Sequence, residues 1–422
     1  MSKSRNESWI PLPRLLLMAA ALAAHLTAPG CYASRHSSTD PSADRQNSRL
    51  AGRAAIGGKG AADGGHPGDA GRPASQAGNP ATGADAQAPA GSAGMNADDR
   101  GSAEPDGPLA PTPIMPEPNL RVAFLGDQGL GMAARDVLEL LAREKPALVV
   151  HAGDLTYGEG DPAHWESNID EVLGRNFPYL VAIGNHDLDD WEGPQGFAAL
   201  LSARLARTPG LRCDGELGVK SLCRYRGLEL VLSGVGSEGS DHAWYLERTL
   251  VRPGAAIRLC VWHKNQHDMQ VGAKSDEAGW GAYQICARHG APIITAHEHS
   301  YSRTFALTAI GDRKRGHGAT GRPDLLQLGP DRTFVAVTGL GGHSTRTRTL
   351  DHAMDTWWAS IYANNYQMMN GAHMDNVPYI EFGALFIDFH VDGDPLKARA
   401  YFKTTKDVVV DKFELHFADR SR

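Results

Sequence analysis

Leu120-Arg121-Val122-Ala123-Phe124-Leu125-Gly126-Asp127 is a short apolar run that stops on a glycine and hands the chain an aspartate. The pattern recurs at Ala147-Leu148-Val149-Val150-His151-Ala152-Gly153-Asp154, and again at Tyr179-Leu180-Val181-Ala182-Ile183-Gly184-Asn185-His186-Asp187. Runs this short and this rich in β-branched residues suit strands covered on both faces. Between them, 132–143 and 164–173 carry apolar residues at three- and four-residue spacing, the period of a helix. Strand–helix–strand alternation brings the three strand ends to one edge, the carboxyl edge where α/β sheets carry their sites.

Working outward, apolar runs at 228–233, 257–263, 292–296 and 334–338, with helical patterns near 241–251 and 277–288, continue the alternation. The stretches 379–390, 396–403 and 410–417 alternate in polarity and are joined by turns such as Asp392-Gly393-Asp394, which predicts antiparallel strands. Together these predict one α/β domain with two packed sheets and helices outside.

Two of the later strands end in histidine, at Val261-Trp262-His263 and at Ala296-His297-Glu298-His299. Read as extended chain, the second would aim both imidazoles to one face. Asp127, Asp154, Tyr157, Asn185, His263, His297 and His299 are more donors than one ion takes. They suit two hard or borderline ions about 3.5–4 Å apart with a carboxylate between them. Without metal, carboxylates and imidazoles packed this closely would strongly shift each other's protonation. A single Gly-Asp usually marks only a turn. The weight rests on five motifs in order, each at a strand end.

That ordered set, GD-x-G, GD-x-x-Y, GNH[DE], a lone strand-end His and [GA]H-x-H, resembles the calcineurin-like metallophosphoesterases, and within them the purple acid phosphatases. Many metallophosphoesterases carry His two residues after the first Asp, where this chain has Gly129. Purple acid phosphatases instead supply a tyrosinate from the second motif, and Tyr157 stands there. Thr338-Gly339-Leu340-Gly341-Gly342-His343 is similar to the family's late Gly-rich loop. The resemblance implies a four-layer α/β/β/α sandwich, two packed mixed β-sheets flanked by helices. It implies Fe(III) on Asp127, Tyr157 and His299, a divalent ion (Fe, Zn or Mn) on Asn185, His263 and His297, and Asp154 bridging. It further implies hydrolysis of phosphomonoesters, acid-phosphatase-like, by attack of a metal-bound hydroxide, with His186 facing substrate and Asp187 orienting its neighbour. The alternatives are a phosphodiesterase or nucleotidase on the same metal site, or a non-catalytic envelope binding protein.

The sequence departs from that family in places. Ala296 stands for Gly and Cys260 for Val. Purple acid phosphatases place a second substrate histidine several residues past the one matching His263. Here the stretch reads Lys264-Asn265-Gln266-His267-Asp268-Met269-Gln270-Val271-Gly272, so His267 is the nearest candidate, at a different spacing. The alternative for His267 is an ordinary loop residue. Ser300 and Ser302 read as loop residues, not nucleophiles. The run Asp312-Arg313-Lys314-Arg315 reads as a solvated loop or an anion attractor. Trp357, Trp358, Tyr366, Met368, Met369 and Met374 suggest an insertion that packs in the core or roofs the cleft.

The rest of the chain bounds its setting. A net charge of -7 excludes the broad basic footprint of a nucleic-acid binder and leaves a phosphorylated small molecule as the expected partner. Residues 1–31 have basic Lys3, Arg5 and Arg14, then an apolar run from Leu15 to Leu26, then small residues, as in a secretory signal. That run is shorter than the ~20 residues a membrane-spanning helix needs. Cys31 resembles the lipid-accepting cysteine of a lipoprotein, with Ala28 where Leu is usual; the alternative is a plain cleaved leader. The expected location is exported, in the cell envelope or secreted. Residues 32–118 are Gly, Ala, Pro, Ser and Asp with almost no large apolar side chain, the composition of a flexible linker. The catalytic domain is predicted over 119–422. Cys213 and Cys223 flank a loop that suits a local disulfide, while Cys260 and Cys286 either pair or stay buried and free.

Overall fold

The computed structural model describes residues 116–158, 160–374 and 378–419. The predicted leader with Cys31 and the linker from 32 to 115 lie outside the described residues. The chain is already tied down at Glu117. Its N–H donates to the Arg226 carbonyl (3.2 Å), its carboxylate meets the Arg226 guanidinium at 2.8 Å, and its carbonyl accepts from His390 Nδ1 at 2.9 Å.

Two large mixed sheets form the frame. The first runs, edge to edge, Leu325–Leu328, Val409–Phe417, Lys397–Thr404, Gly383–Phe389, Leu120–Leu125, Leu148–His151 and Tyr179–Val181. The second runs Ala372–His373, Tyr366–Met369, Trp358–Ala363, Tyr301–Thr304, Val335–Thr338, Ile293–Thr295, Ile257–Val261, Leu228–Ser233, Lys220–Tyr225 and Arg212–Glu216. Parallel pairs lie at the centre of the second sheet and at both edges of the first, and the predicted strand–helix–strand units fall in the former and at the Tyr179–Val181 edge of the latter.

Alternation along each strand decides the layering. Val122, Phe124, Val150, Leu230, Leu259 and Val261 point into one core between the sheets. Their chain neighbours Ala123, Leu125 and Val149 point the other way, into a core with Val137, Leu138, Leu141, Trp165, Ile169, Phe197 and Leu201 from the helices Met132–Glu144, Pro162–Val172 and Phe197–Ala206. Val231 and Cys260 likewise turn outward to meet Leu246, Leu250, Ala282 and Tyr283 from the helices His242–Leu250 and Gly281–Arg288. Three apolar cores separate four layers, as predicted: helices, sheet, sheet, helices. Among the described residues, no helix is long and apolar enough to cross a membrane.

The four cysteines form two disulfides. Cys213–Cys223 links facing positions of the hairpin Arg212–Glu216/Lys220–Tyr225, and Cys260–Cys286 ties a central strand to its covering helix. The residues read as an insertion build strands: Trp357 and Trp358 are buried, and Tyr366–Met369 extends the sheet edge, while Met374 is exposed. In the basic run, Arg313 pairs with Asp268 and Asp355, and Arg315 with Asp312.

Candidate metal centre

Parallel register aligns Leu125, His151 and Val181, so the chain leaves three neighbouring strands at one level. Close approach then demands glycine. A Cβ on Gly184 would fall 2.2 Å from both the backbone nitrogen and Oδ1 of Asp154, and one on Gly126 would fall 2.3 Å from the Ala296 Cβ. Three of the residues that follow strand ends take left-handed backbone: Asp127 (φ 59°), Asp154 (φ 59°) and His297 (φ 67°). Such conformations are uncommon outside glycine and persist where surrounding bonds over-determine them. Here Asp127 N–H donates to Gly153 O, Gln128 N–H to Asp154 O, and His297 N–H to Asp127 Oδ2 (2.7 Å). The buried Asp187 carboxylate accepts from the N–H groups of Gly184 (2.8 Å), Leu155 (2.7 Å) and Asp154 (3.0 Å), fixing the turn that carries Asp154 against the one that carries Asn185.

The side chains gather as two adjoining triads. In the first, Tyr157 OH lies 2.9 Å from Asp127 Oδ1, and His299 Nε2 lies 3.3 Å from each of them. In the second, His263 Nε2 lies 3.2 Å from Asp154 Oδ2 and 3.0 Å from His297 Nδ1. Asp154, His263 and His297 hold their donor atoms within 4.8 Å of one another, all buried.

Hydrogen bonds at the outer ring nitrogens orient the imidazoles. His263 Nδ1 donates to the Ala152 carbonyl (2.8 Å), and His297 Nε2 donates to Glu277 Oε2 (2.5 Å). His299 Nδ1 pairs with Ser344 Oγ. With both rings neutral and their outer nitrogens protonated, His263 and His297 would present lone pairs to each other across 3.0 Å. Carboxylate or carbonyl behind histidine is the arrangement that readies an imidazole for a metal. Asn185 Oδ1 is buried with no hydrogen-bond partner, another acceptor awaiting a cation. Left to protons alone, the cluster is lopsided. Burial opposes charge on His263, yet the Asp154 carboxylate lifts it to about 9, while burial drops His297 to about 3. Without an ion the cluster separates these lone pairs only by holding an extra proton on His263.

His186 sits at the rim, its N–H bonded to Asp154 Oδ1 (2.9 Å) and its ring 4.6 Å from that of Tyr157. His267 is not brought into this group; its ring nitrogens face Asp268 and Asp351 and it stacks on His352. The His-x-His segment is not a strand. The strand stops at Thr295, and left-handed His297 opens tight turns, with Glu298 N–H to Ala296 O and Ser300 N–H to Glu298 O. Both imidazoles still reach the cluster because the turn, not strand alternation, aims them. Several neighbours escaped the sequence reading. Glu277 supports His297, Ser344 supports His299, and His343 stacks on Tyr157 at 3.4 Å. Of these, His343 alone carried a signal, at the end of the Gly-rich loop. Arg346 Nη1 lies 3.4 Å from the His297 carbonyl and 3.6 Å from the Glu298 carboxylate.

The four-layer sandwich, with carboxylate, imidazole and phenol donors clustered at its strand ends, shares its fold with a solved phosphatase. Residues 120–301 match the family model for calcineurin-like phosphoesterases. Among solved structures the chain is similar to the purple acid phosphatase PPD1 from seeds of yellow lupin (Lupinus luteus), with 15% identity and a TM-score of 0.52 over 74% of this chain and 56% of that one. The chain thus spans little more than half of the lupin protein. PhoD (11% identity, TM-score 0.40, covering 71% of this chain and 69% of that one) is a more distant likeness. So is GAP50 of Plasmodium (13%, TM-score 0.41, covering 71% and 89%). No curated protein matches the chain.

Proposed function

We propose that the protein is an exported, metal-dependent phosphoric ester hydrolase acting on phosphomonoesters of small molecules. The observation that carries this is the pair of buried donor triads, Asp127–Tyr157–His299 and Asp154–His263–His297, with the unpartnered Asn185 Oδ1 beside them. Asp127, Tyr157 and His299 would hold a ferric ion, since a phenolate is a hard anionic donor. Asn185, His263 and His297 would hold a divalent ion, with Asp154 shared. When bound, such ions supply a nucleophile from water near neutral pH and offset charge on the phosphoryl oxygens.

The chain's own residues do the rest. His186, at the rim, is placed to contact the phosphoryl group or to protonate the leaving oxygen. Arg346 and Lys274 add positive charge there. The Lys274 ammonium has no hydrogen bond or ion pair among the described residues, and burial together with Arg346 depresses its pKa. A cation short of anions in this position favours a phosphate dianion. A phosphodiesterase on the same site is the second reading. It is favoured by His267 being engaged elsewhere, which leaves His186 as the sole histidine among the proposed leaving-group donors. Export is supported by the leader-like 1–31 segment and by two disulfides, with Cys31 as the proposed lipid attachment point.

Metal analysis of the pure protein with a panel of monoesters and diesters tests the reading. Iron plus one further metal, monoester turnover, and a visible charge-transfer band that Tyr157→Phe abolishes are expected. A colourless, active enzyme holding only zinc or manganese refutes the ferric assignment. An enzyme inert on the whole panel with both metals bound refutes the hydrolase reading.

A further inference from the structure

A second group of imidazoles and carboxylates forms where the loop after His263 meets the loop before the strand Trp358–Ala363. His267 Nε2 lies 3.2 Å from Asp351 Oδ2, and His352 Nε2 lies 4.0 Å from the same oxygen. The donor atoms of these three residues all fall within 4.8 Å of one another. Each ring is braced from behind by a carboxylate. His352 Nδ1 is 2.7 Å from Asp355 Oδ2, and His267 Nδ1 is 3.3 Å from Asp268 Oδ1. The Gly272 carbonyl lies 3.2 Å from His352 Nε2, and the two rings stack 4.7 Å apart.

Every one of the four ring nitrogens therefore faces an oxygen that can only accept. A neutral imidazole has one N–H, so two neutral rings would aim two lone pairs at acceptors. Protonating both rings fully would instead stack two cations face to face. Charge points the same way. Asp268, Asp351 and Asp355 bring three negative charges; Arg313, paired with Asp268 and Asp355, and Arg348, whose guanidinium donates to the His352 carbonyl, bring two positive, so three less two leaves one uncompensated. One divalent cation replaces both missing protons and offsets the remaining negative charge.

We propose that His267 Nε2, Asp351 Oδ2 and His352 Nε2 bind one borderline divalent ion of the zinc type, separate from the triads above, with the Gly272 carbonyl or a water as fourth ligand. Tetrahedral zinc with bonds of 2.0–2.1 Å spaces its ligand atoms about 3.3 Å apart. The His267–Asp351 pair already has that spacing. The His352 pair reaches it by a small rotation of Asp351, whose side chain is 53% exposed. Carboxylate–histidine–metal relays of this form orient zinc ligands elsewhere. The ion pins the loop behind His263 to the loop carrying Ser344 and Arg346, which Thr349 already joins through its N–H to Val271 O and its hydroxyl to Gly272 O. On this assignment His267 serves the architecture of the site and not the leaving group.

The test compares zinc equivalents and melting temperatures of the full chain for wild type, Asp351→Ala and Asp351→Asn, after equilibration with zinc and removal of the excess. The expected result is one equivalent fewer in both variants and a smaller zinc-induced rise in melting temperature, with the visible band of the other centre unchanged. Equal zinc content in wild type and both variants overturns the proposal. So does proton NMR showing the His267 and His352 rings doubly protonated at neutral pH and indifferent to zinc. If the two triads bind no metal, wild type holds one equivalent and the variants none, so the two readings fail separately.

Discussion

Two buried polar clusters in this molecule solve the same problem in opposite ways. Around Asp411, Arg303 and Asp411 are both fully buried, and the guanidinium meets the carboxylate through Nε–Oδ2 (2.6 Å) and Nη2–Oδ1 (3.0 Å). Tyr301 and Ser360 hydroxyls donate to the remaining lone pairs of Asp411 at 2.7 Å each. Charge and hydrogen bonds close within the chain. Around Asp154 they do not: the His263 and His297 nitrogens face each other and are reconciled without a cation only by an added proton, and Asn185 Oδ1 has no donor. Since a buried polar group left unmade costs about 1–3 kcal/mol, a cluster that leaves several so is built for something it does not itself contain. The first is finished by folding, and the second by a ligand.

The sharpest way to break this contrast is to remove its centre. Asp154→Ala should abolish metal retention and lower kcat/KM by about a thousandfold or more, since the ions' charge stabilisation of several kcal/mol is lost. Metal analysis and steady-state kinetics check it, and a folded, metal-loaded variant would break the contrast. In the closed cluster, Asp411→Ala should cost about 3–5 kcal/mol of stability by stranding Arg303, read by chemical denaturation. Substituting Arg303 and Asp411 together with apolar residues of similar volume should recover most of that loss. No such compensating apolar pair exists for the open cluster. Glu277→Gln weakens the brace on His297 and should lower affinity for the divalent ion about 10–100-fold, measured by competition with a chelator. The smallest effect is expected at Lys274→Ala, a rise in KM of about tenfold or less with kcat little changed, because only attraction of the anion is lost. A fall in kcat with KM untouched would instead place Lys274 in the chemistry.

The same contrast explains what the sequence disclosed. Asp127, Asp154, Asn185, His263 and His297 each follow a strand within a few residues, so an apolar run, closed by a glycine for the first three, announces them locally. Their supports do not sit where local pattern can speak. Glu277 lies on a loop and reaches His297 from 20 residues away, and Ser344 reaches His299 from 45. Tyr301–Thr304 escaped prediction as a strand because Tyr-Ser-Arg-Thr has no apolar alternation. Its polar groups are buried only because Asp411, 108 residues beyond Arg303, satisfies them. His267 was visible as a histidine in the right loop, yet its spacing could not reveal that Asp351, 84 residues on, would capture its ring. The hairpin strand Arg212–Glu216 was hidden by its mostly exposed, glycine-containing sequence.

The strand that delivers Asp127 has a consequence for timing. On one side it pairs with Leu148–His151, which follows it closely in the chain, but on the other it pairs with Gly383–Phe389, where Leu120 faces Phe389. During synthesis the first of these partners arrives early and the second only once residues 383–389 have been made. Long-range pairings of this kind are slow to form and leave a nascent chain exposed in the meantime. One side of the strand that delivers Asp127 thus stays unpaired until residues 383–389 have emerged, so any ion proposed for this site would be loaded only after that pairing.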